Sequence, residues 1–257
     1  MTAPLAFVVH RLGAVVSTME ETAALAAAGA PEGTVVVAET QSAGRGRAGR
    51  HWSDAPGRSL LCTVLLRPTV PPERLGLLSL VAGVAVAEAI EQRAGIPAQL
   101  KWPNDVWLGD DPARRKVAGI LLQARTGPEA VDHALVGIGV NVASPAADLP
   151  SGGTSLLVAA GRAVDRDALL DALLDRLRVG YADFCATDGR PDLDPWRRRA
   201  ALLGEDVAIE QAGVTLAGRF AGVDDDGALL LRTEGGVRRV VAGDLVRGPR
   251  RQASEHS

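Results

Sequence analysis

A glycine- and arginine-rich segment between two predicted strands constrains the fold of this chain more than any other stretch. Residues 44–52 read GRGRAGRHW, and their three glycines satisfy the G-x-G-x-x-G pattern of dinucleotide-binding turns. That pattern needs a helix directly after the turn, because the helix N-terminus meets the pyrophosphate. Here SDAPG follows at 53–57, which interrupts a helix, and the next predicted element is a strand at 59–66. The segment therefore predicts a loop between two strands and argues against a Rossmann turn.

The composition of this loop favours an anionic ligand. Glycine lets backbone N–H groups approach a ligand, and arginine offers paired donors to phosphate oxygens. A small phosphorylated ligand is one interpretation of the loop, while a solvated surface loop and a nucleic-acid contact are the others. The formal net charge of -3 over 257 residues argues against the nucleic-acid interpretation.

The remaining pattern predicts an α+β protein in two parts. Ser17 opens a helix through a capping box with Glu20, and apolar periodicity predicts longer helices at 75–94 and 165–184. From Leu203 onward short strands alternate with Gly/Asp turns, which is typical of a small β-barrel-like module. Further strands are predicted at 4–11, 34–39 and 59–66, on both sides of a turn within 100–108, at 117–124 and at 134–142.

Composition and the N-terminal sequence exclude several other classes. Four scattered histidines and two cysteines form no metal-ligand cluster, and the bland interpretation of Cys62 and Cys185 is a buried thiol at each site. The N-terminal residues lack the basic and apolar regions of a signal peptide. The apolar run 75–90 is short for a membrane span and contains Ser79 and Glu88. We therefore expect a cytoplasmic protein with no metal site of its own and no membrane partner.

Several motifs together resemble those of the biotin–protein ligases. They are GRGRAGRHW at 44–52, KWPND at 101–105, KVAGIL at 116–121 and VGIGVNV at 136–142. The resemblance covers nearly the whole chain, since GVDDDGALLL at 222–231 is similar to part of the family's SH3-like C-terminal domain. It implies a catalytic domain with a mixed β-sheet and helices on one face at residues 1–200, an SH3-like β-barrel domain at 201–248 and a flexible tail at 249–257.

The resemblance also implies a two-step reaction. Biotin and ATP, with Mg²⁺, would give biotinyl-5′-AMP and pyrophosphate. The adenylate would then acylate a lysine of a biotin carboxyl carrier domain, such as that of acetyl-CoA carboxylase. Because the biotin carboxylate and the triphosphate repel each other, such a site needs fixed positive charge and accurate positioning.

On the nucleotide side, the loop supplies the matching residues. Arg45 and Arg47 match the family's loop arginines, and Gly44 and Gly46 would let the loop fold over the adenylate. Trp52 matches an aromatic residue that closes with the loop, with simple packing at a strand edge as the alternative. Closure of the loop would shield the mixed anhydride from water.

A second group of matching residues lies in the later motifs. Lys116 matches the lysine that contacts the biotin carboxylate and the α-phosphate, and Gly119 would allow a close backbone approach to the ligand. Lys101 and Asp105 are candidates for phosphate binding and for an Mg²⁺ or acceptor-amine role respectively, with a structural turn and an internally paired aspartate as the alternative. Asn141 resembles an asparagine near the nucleotide. The predicted catalytic residues are Arg47, Lys101, Asp105 and Lys116.

The biotin side of the predicted site departs from the family at one position. Ser17, Thr18 and Gln41 match positions that face the ureido ring, and Ser17 is also a good helix N-cap. Asparagine is usual at the third position of the first motif, and Met19 stands there in this chain. A hydrogen-bonding side chain is therefore lost among the predicted ligand-binding residues.

Two other functions and the choice of partners follow from the same motifs. A lipoate or octanoate transferase is similar in fold, but its arginine-rich SGGG signature is missing. Residues 151–153 read SGG and match that signature only in part. A nucleic-acid-binding protein is the third hypothesis. Ser17 lies too near the start for the winged helix that some members carry, so we expect no DNA partner. The resemblance leaves open whether the protein is a monomer or a homodimer.

Overall fold

Two β-sheets organise the chain in the computed structural model, which describes residues 5–52, 55–127, 130–211 and 213–247. The expected tail at 249–257 lies outside the described residues. The larger sheet contains β1 (Val8–Val15), β2 (Thr34–Gln41), β3 (Ser59–Leu66), β4 (Ala98–Lys101), β5 (Asp105–Leu108), β6 (Arg115–Thr126) and β7 (Val131–Asn141). The smaller sheet contains β8 (Asp206–Gln211), β9 (Val214–Val223), β10 (Leu229–Thr233), β11 (Gly236–Val240) and β12 (Asp244–Arg247). The helices are α1 (Thr18–Ala27), α2 (Leu77–Ala94), α3 (Leu156–Ala160), α4 (Arg166–Ala186) and α5 (Asp194–Arg198).

The larger sheet is mixed. Its strands run in the order β1-β2-β3-β7-β6-β5-β4, with β1 parallel to β2 and every other neighbouring pair antiparallel. The central strand β3 reads SLLCTVLL, and all eight of its residues are buried because side chains pack against both faces of the sheet. The prediction of an α+β fold with a mixed sheet is confirmed.

The helices do not all lie on one face of this sheet. Leu60, Cys62 and Val64 of β3 point into the main core, which α2 and α4 cover, as predicted for the long helices. Leu65 points the opposite way, because side chains alternate along a strand, and packs with Met19 of α1 in a second, smaller cluster. The expectation of a single helical face therefore fails for α1, whose apolar side covers the other face.

The apolar run that could suggest a membrane span forms the core helix. The segment Pro72–Ala94 is long and apolar enough to cross a membrane by length and composition, but 67% of its most apolar window is buried. Gly95 ends α2 in the left-handed conformation at φ 75°, as the sequence predicts. The helix packs between the sheet and α4, which accounts for its apolar composition.

The smaller sheet is antiparallel throughout and packs against the larger one. Its order is β11-β10-β9-β8-β12, and the described residues show no pairing between β11 and β12 that would close a barrel. The hairpin turns predicted after β9 and β10 are both present. Several contacts join the two parts of the chain: Trp102 Nε1 donates a hydrogen bond to the Gly227 carbonyl at 3.0 Å, and Arg74 pairs with Asp226. The module therefore shares a core with the first part of the chain.

Candidate active site

A pocket opens on the face of the larger sheet that carries α1. Its volume is about 130 Å³, and its walls come from the N-terminus of α1, the loop after β2 and the middle of β6 and β7. Ten of the fourteen predicted site residues line it: Ser17, Thr18, Met19, Gln41, Arg45, Gly46, Arg47, Trp52, Lys116 and Gly119.

The loop between β2 and β3 folds back on itself. Gly46 N donates to the Arg50 carbonyl at 2.7 Å, and Trp52 N donates to the Gly44 carbonyl at 2.9 Å. A single 3₁₀ turn, Arg47–Gly49, forms its tip, and no longer helix follows in its described part. These hydrogen bonds make the loop a small hairpin, which places its arginine side chains over the pocket.

The arginines of this hairpin are paired with acidic or amide groups. Arg45 pairs with Glu20 of α1, so this carboxylate serves the loop and is not seen capping the helix as the capping-box prediction required. Arg47 Nη1 lies 3.2 Å from Asn104 Oδ1. Arg50 Nη2 lies 3.0 Å from an oxygen of Asp244, which belongs to the smaller sheet. The loop is thus held from three directions.

Two lysines flank one carboxylate beside the pocket. Lys116 Nζ lies 2.6 Å from Asp105 Oδ1, and Lys101 Nζ lies 3.9 Å from Asp105 Oδ2. The three are brought together because Lys101 and Asp105 are cross-strand partners at the end of the β4–β5 hairpin, and β6 pairs with β5. Burial lowers the pKa of Lys101, and the neighbouring Asp105 partly opposes that shift. Asp105 is internally paired, as the structural interpretation of this motif expected.

Two glycines form a flat floor under Trp52. Gly119 of β6 and Gly139 of β7 are directly opposite each other. A Cβ atom at Gly139 would lie only 2.6 Å from Trp52 Cε2, and one at Gly119 would lie 3.2 Å from Trp52 Cζ3. The indole ring therefore rests on backbone that only glycine leaves free. Its Nε1 is buried and has no hydrogen-bond partner among the described residues.

The far end of the pocket is polar and carries a chain of hydrogen bonds. Gln41 Oε1 accepts from Thr18 N at 2.8 Å and from Thr18 Oγ1 at 3.0 Å. Thr18 Oγ1 in turn accepts from Thr63 Oγ1 at 2.8 Å. Ser17 Oγ accepts from Met19 N at 3.3 Å as the helix N-cap, which the sequence predicts. Ser17 and Thr18 are buried, so this end is shielded from bulk water.

Met19 closes the same end with an apolar side chain. It is 4% exposed and packs in the cluster that contains Leu65 and Leu135. A Cβ atom at Gly137 would lie 2.7 Å from Met19 Sδ, so the thioether lies directly on the backbone of β7. The pocket wall at this position is therefore apolar, next to the polar Ser17 and Thr18.

Four predicted residues do not line the pocket. Lys101 and Asp105 lie behind Lys116, and Gly44 lies at the base of the loop, where a Cβ atom would be 2.8 Å from the Trp52 carbonyl oxygen. Asn141 is buried at the end of β7, and its Nδ2 donates to the Thr154 carbonyl at 3.0 Å.

Sequence analysis missed other residues at the site. Arg50 lies inside the loop motif and lines the pocket, and Gly137 and Gly139 lie inside VGIGVNV. Their positions inside these motifs were the signal that could have identified them. Asp244 carries no comparable signal, because it lies 194 residues from the arginine that it contacts.

Comparisons with known proteins place these features in one family. The profile of the Biotin/lipoate A/B protein ligase family matches residues 12–141, and that of the Biotin protein ligase C terminal domain matches residues 202–248. A biotin–[acetyl-CoA-carboxylase] ligase of Paracoccus denitrificans is 36% identical over 83% of this chain and 90% of its own length. The bifunctional ligase/repressor BirA of Bacillus subtilis is 35% identical over 91% of this chain and 72% of its own length.

The solved structures agree with the sequence relatives. A biotin protein ligase from Aquifex aeolicus in complex with biotin and ATP is 30% identical and superposes with a TM-score of 0.79, covering 93% of this chain and 99% of its own. Both its catalytic sheet and its C-terminal sheet therefore have counterparts here. The chain belongs to the biotin protein ligase family.

Proposed function

We propose that this protein is an ATP-dependent biotin–protein ligase whose active site is the pocket beneath the loop 44–52. One observation carries the assignment of the site: cationic side chains and uncharged polar side chains line the same pocket. The cations are Lys116 and Arg47, and the uncharged polar residues are Ser17, Thr18 and Gln41. A ligand with an uncharged polar ring at one end and a carboxylate at the other matches this arrangement.

In the first step, the biotin carboxylate oxygen attacks the α-phosphorus of ATP. A C(O)–O–P bond forms, the bond from the α-phosphorus to the bridging oxygen breaks, and pyrophosphate leaves. Lys116, on the pocket wall, is in position to hold the carboxylate and the α-phosphate together by neutralising both. Arg45, Arg47 and Arg50 of the loop neutralise the remaining phosphates.

Asp105 and Lys101 set the position and charge of Lys116. The Asp105 carboxylate holds the Lys116 ammonium at 2.6 Å, which keeps that flexible side chain at the pocket wall. Lys101 lies on the other side of Asp105 and adds positive charge behind the site. In the second step, the amine of a carrier lysine attacks the acyl carbon and AMP leaves.

Trp52 and the loop keep water away from the adenylate. The indole ring lies on the Gly119–Gly139 floor, with Lys116 Nζ 5.7 Å from its centroid. A ligand in the pocket would pass beneath the loop and beside this ring, and exclusion of water there would slow hydrolysis of the mixed anhydride. Asn141 supports the site through the segment that carries Thr154, whose backbone N–H donates to the Lys116 carbonyl.

The described residues do not form a ready-made cage for Mg²⁺. No group of three or more His, Cys, Asp or Glu side chains among them is arranged to hold a metal ion. The nearby Asp105 carboxylate is already paired with two lysines. Mg²⁺ would enter as the counter-ion of ATP, held by phosphate oxygens, and would neutralise part of their charge.

The proposed partner is a biotin carboxyl carrier domain, and neither DNA nor a membrane is part of the proposal. The names of the relatives from Paracoccus denitrificans and Mycobacterium tuberculosis specify acetyl-CoA carboxylase as the protein on which those ligases act. A cytoplasmic location is proposed with it, in keeping with ATP as co-substrate and with free thiols at Cys62 and Cys185.

The test is pyrophosphate release by the purified protein with ATP and either biotin or lipoate, followed by transfer of biotin to a purified carrier domain. We expect release with biotin only, and mass addition to one carrier lysine. Release with lipoate and not with biotin would identify a lipoate ligase instead. Salt-sensitive nucleic-acid binding without biotin-dependent turnover would refute the enzyme assignment.

A further inference from the structure

A threonine outside the pocket begins the chain of hydrogen bonds at the polar end. Thr63 of β3 is fully buried and does not line the pocket, so it does not contact the ligand there. Its hydroxyl lies 2.8 Å from Thr18 Oγ1 and reaches the pocket wall only through Thr18 and Gln41. The resemblance to the ligase family assigns no role to this residue.

The chemistry of the donors leaves only one arrangement of protons. The backbone N–H of Thr18 can only donate, so the Gln41 atom 2.8 Å away must be the amide oxygen. That oxygen cannot donate, so the Thr18 hydroxyl, 3.0 Å from it, must donate its single proton to it. The Thr63 hydroxyl must then donate to Thr18. The relay runs from Thr63 through Thr18 to Gln41 Oε1.

This arrangement leaves the nitrogen of the Gln41 amide free to donate to a ligand. Because Oε1 is occupied by two donors from Thr18, the amide NH₂ is the group available to a ligand, and it has no partner among the described residues. Ser17 adds a second donor, since its oxygen accepts from Met19 N and its own proton remains. Met19 offers only a thioether beside them. This end of the pocket presents donors.

We propose that Thr63 is a positioning residue that, through Thr18, holds the Gln41 amide with its NH₂ towards the ligand, so that the pocket selects a neutral urea carbonyl and rejects a guanidinium in the same ring. The proposal rests on the proposed function, since it concerns recognition of the biotin ring. A urea carbonyl accepts the donated protons, whereas a protonated guanidine has no acceptor to offer them. The buried Ser17 hydroxyl and the half-buried Gln41 NH₂ would then be left unpaired beneath the ligand, which is costly.

The experiment compares biotin with 2-iminobiotin, in which a guanidine replaces the urea, by kcat/KM for pyrophosphate release at neutral pH. Gln41→Glu is nearly isosteric and replaces the NH₂ by an acceptor, so we expect the preference for biotin to fall at least about tenfold. Thr63→Val keeps the shape and removes the donor, so the preference should fall about three- to tenfold, mainly through the KM for biotin. Thr63→Ser restores the hydroxyl and should restore the preference.

Thr34→Val is the matched control. Thr34 is also a buried strand threonine, but its hydroxyl donates to the Pro31 carbonyl at 2.8 Å and does not line the pocket. We expect it to leave the ratio of the two substrates unchanged. Calorimetric melting checks that each variant is folded.

The outcomes separate the two proposals. An active wild type whose biotin preference is unchanged in both Gln41→Glu and Thr63→Val would overturn the relay alone. A loss of kcat/KM by the same factor for both substrates in Thr63→Val would do so too, because it would indicate general distortion. A wild type without biotin-dependent pyrophosphate release would overturn the proposed function, and the relay with it.

Discussion

Asp244, on the first position of β12, lies 3.0 Å from Arg50 and 3.8 Å from Arg47, so a carboxylate of the smaller sheet neutralises the loop over the active site. The same two arginines would have to turn to the phosphates of ATP. Asp244 would therefore compete with the phosphates for these arginines, and its pairing with them joins the loop to the smaller sheet.

The loop should therefore be less ordered in Asp244→Asn. The Arg50 and Asp244 side chains are partly exposed, so the pair stabilises the closed loop by less than about 1 kcal/mol. We expect trypsin to cleave after the loop arginines about two- to fivefold faster without ligand, and at the wild-type rate once biotin and ATP are bound. Asp226→Asn is the control, because Asp226 lies in the turn between β9 and β10 and pairs with Arg74 and Arg239 instead of the loop arginines. Equal cleavage rates in both variants would argue that Asp244 does not stabilise the folded loop.

Lys116→Ala should damage adenylate formation far more than the fold. The side chain is 37% exposed, so its removal costs little packing, but the carboxylate and the α-phosphate lose their shared cation. We expect pyrophosphate release to fall about 10²- to 10³-fold. Arg115→Ala is the control, because Arg115 is the adjacent residue and its side chain donates to the backbone carbonyls of Pro112 and Arg114. A wild-type rate in Lys116→Ala would refute the role assigned to Lys116.

Gly139→Ala should lift Trp52 off the floor of the pocket. The new Cβ would lie 2.6 Å from Trp52 Cε2, so the ring must move while the strand can keep its pairing. We expect faster dissociation of biotinyl-5′-AMP, measured by chase with unlabelled biotin, and a shift in tryptophan fluorescence. Gly13→Ala on β1 has open space for its Cβ and should change neither. An unchanged dissociation rate of biotinyl-5′-AMP in Gly139→Ala would show that the position of Trp52 does not help to retain the adenylate.

The decline of pyrophosphate release at alkaline pH should depend on the charge of Lys101. Burial lowers the pKa of Lys101, so its positive charge is lost at a lower pH than that of an exposed lysine. Pyrophosphate release should decline as pH rises through that lowered pKa. In Lys101→Arg the guanidinium stays charged, and the decline should move to higher pH. If pyrophosphate release declined over the same pH range in both proteins, the ionisation of Lys101 would not be the cause of the decline.

The same shift has a consequence for stability. Between the lowered pKa of the folded protein and the ordinary lysine value of about 10.4, the unfolded chain binds more protons than the folded one. The contribution of Lys101 to the free energy of unfolding therefore increases with pH across that window. Urea titrations of the wild type and Lys101→Arg at several alkaline pH values would measure it, and a contribution that decreased with pH would contradict the assigned direction.

Local signals were enough to predict most of the elements. β3 follows its apolar run from Ser59 to Leu66, and Gly95 ends α2 where a left-handed residue is required. The glycine pattern of the loop failed as a dinucleotide turn for a local reason as well, because SDAPG cannot propagate a helix. Periodicity and turn chemistry act within a few residues, so the sequence displays them directly.

Long-range relationships were not predictable in the same way. The side of the sheet that α1 covers depends on which residues of β3 face Met19, and alternation alone does not assign a face. The pairing of Arg50 with Asp244 joins positions 194 residues apart. The hydrogen bond from Thr63 to Thr18 involves a buried strand residue that no motif marks. Each of these requires the folded packing of separate elements.

The bond from the Trp102 indole to the Gly227 carbonyl changes what a domain boundary near residue 200 means for this enzyme. Trp102 lies inside KWPND, one residue from Lys101, and is 2% exposed. A chain truncated after the first sheet would leave that N–H in the core without its acceptor and would uncover Leu77 and Leu80, which lie under Gly227. The C-terminal module thus completes the hydrophobic core beneath the KWPND motif, and removing it at the sequence boundary would expose part of that core.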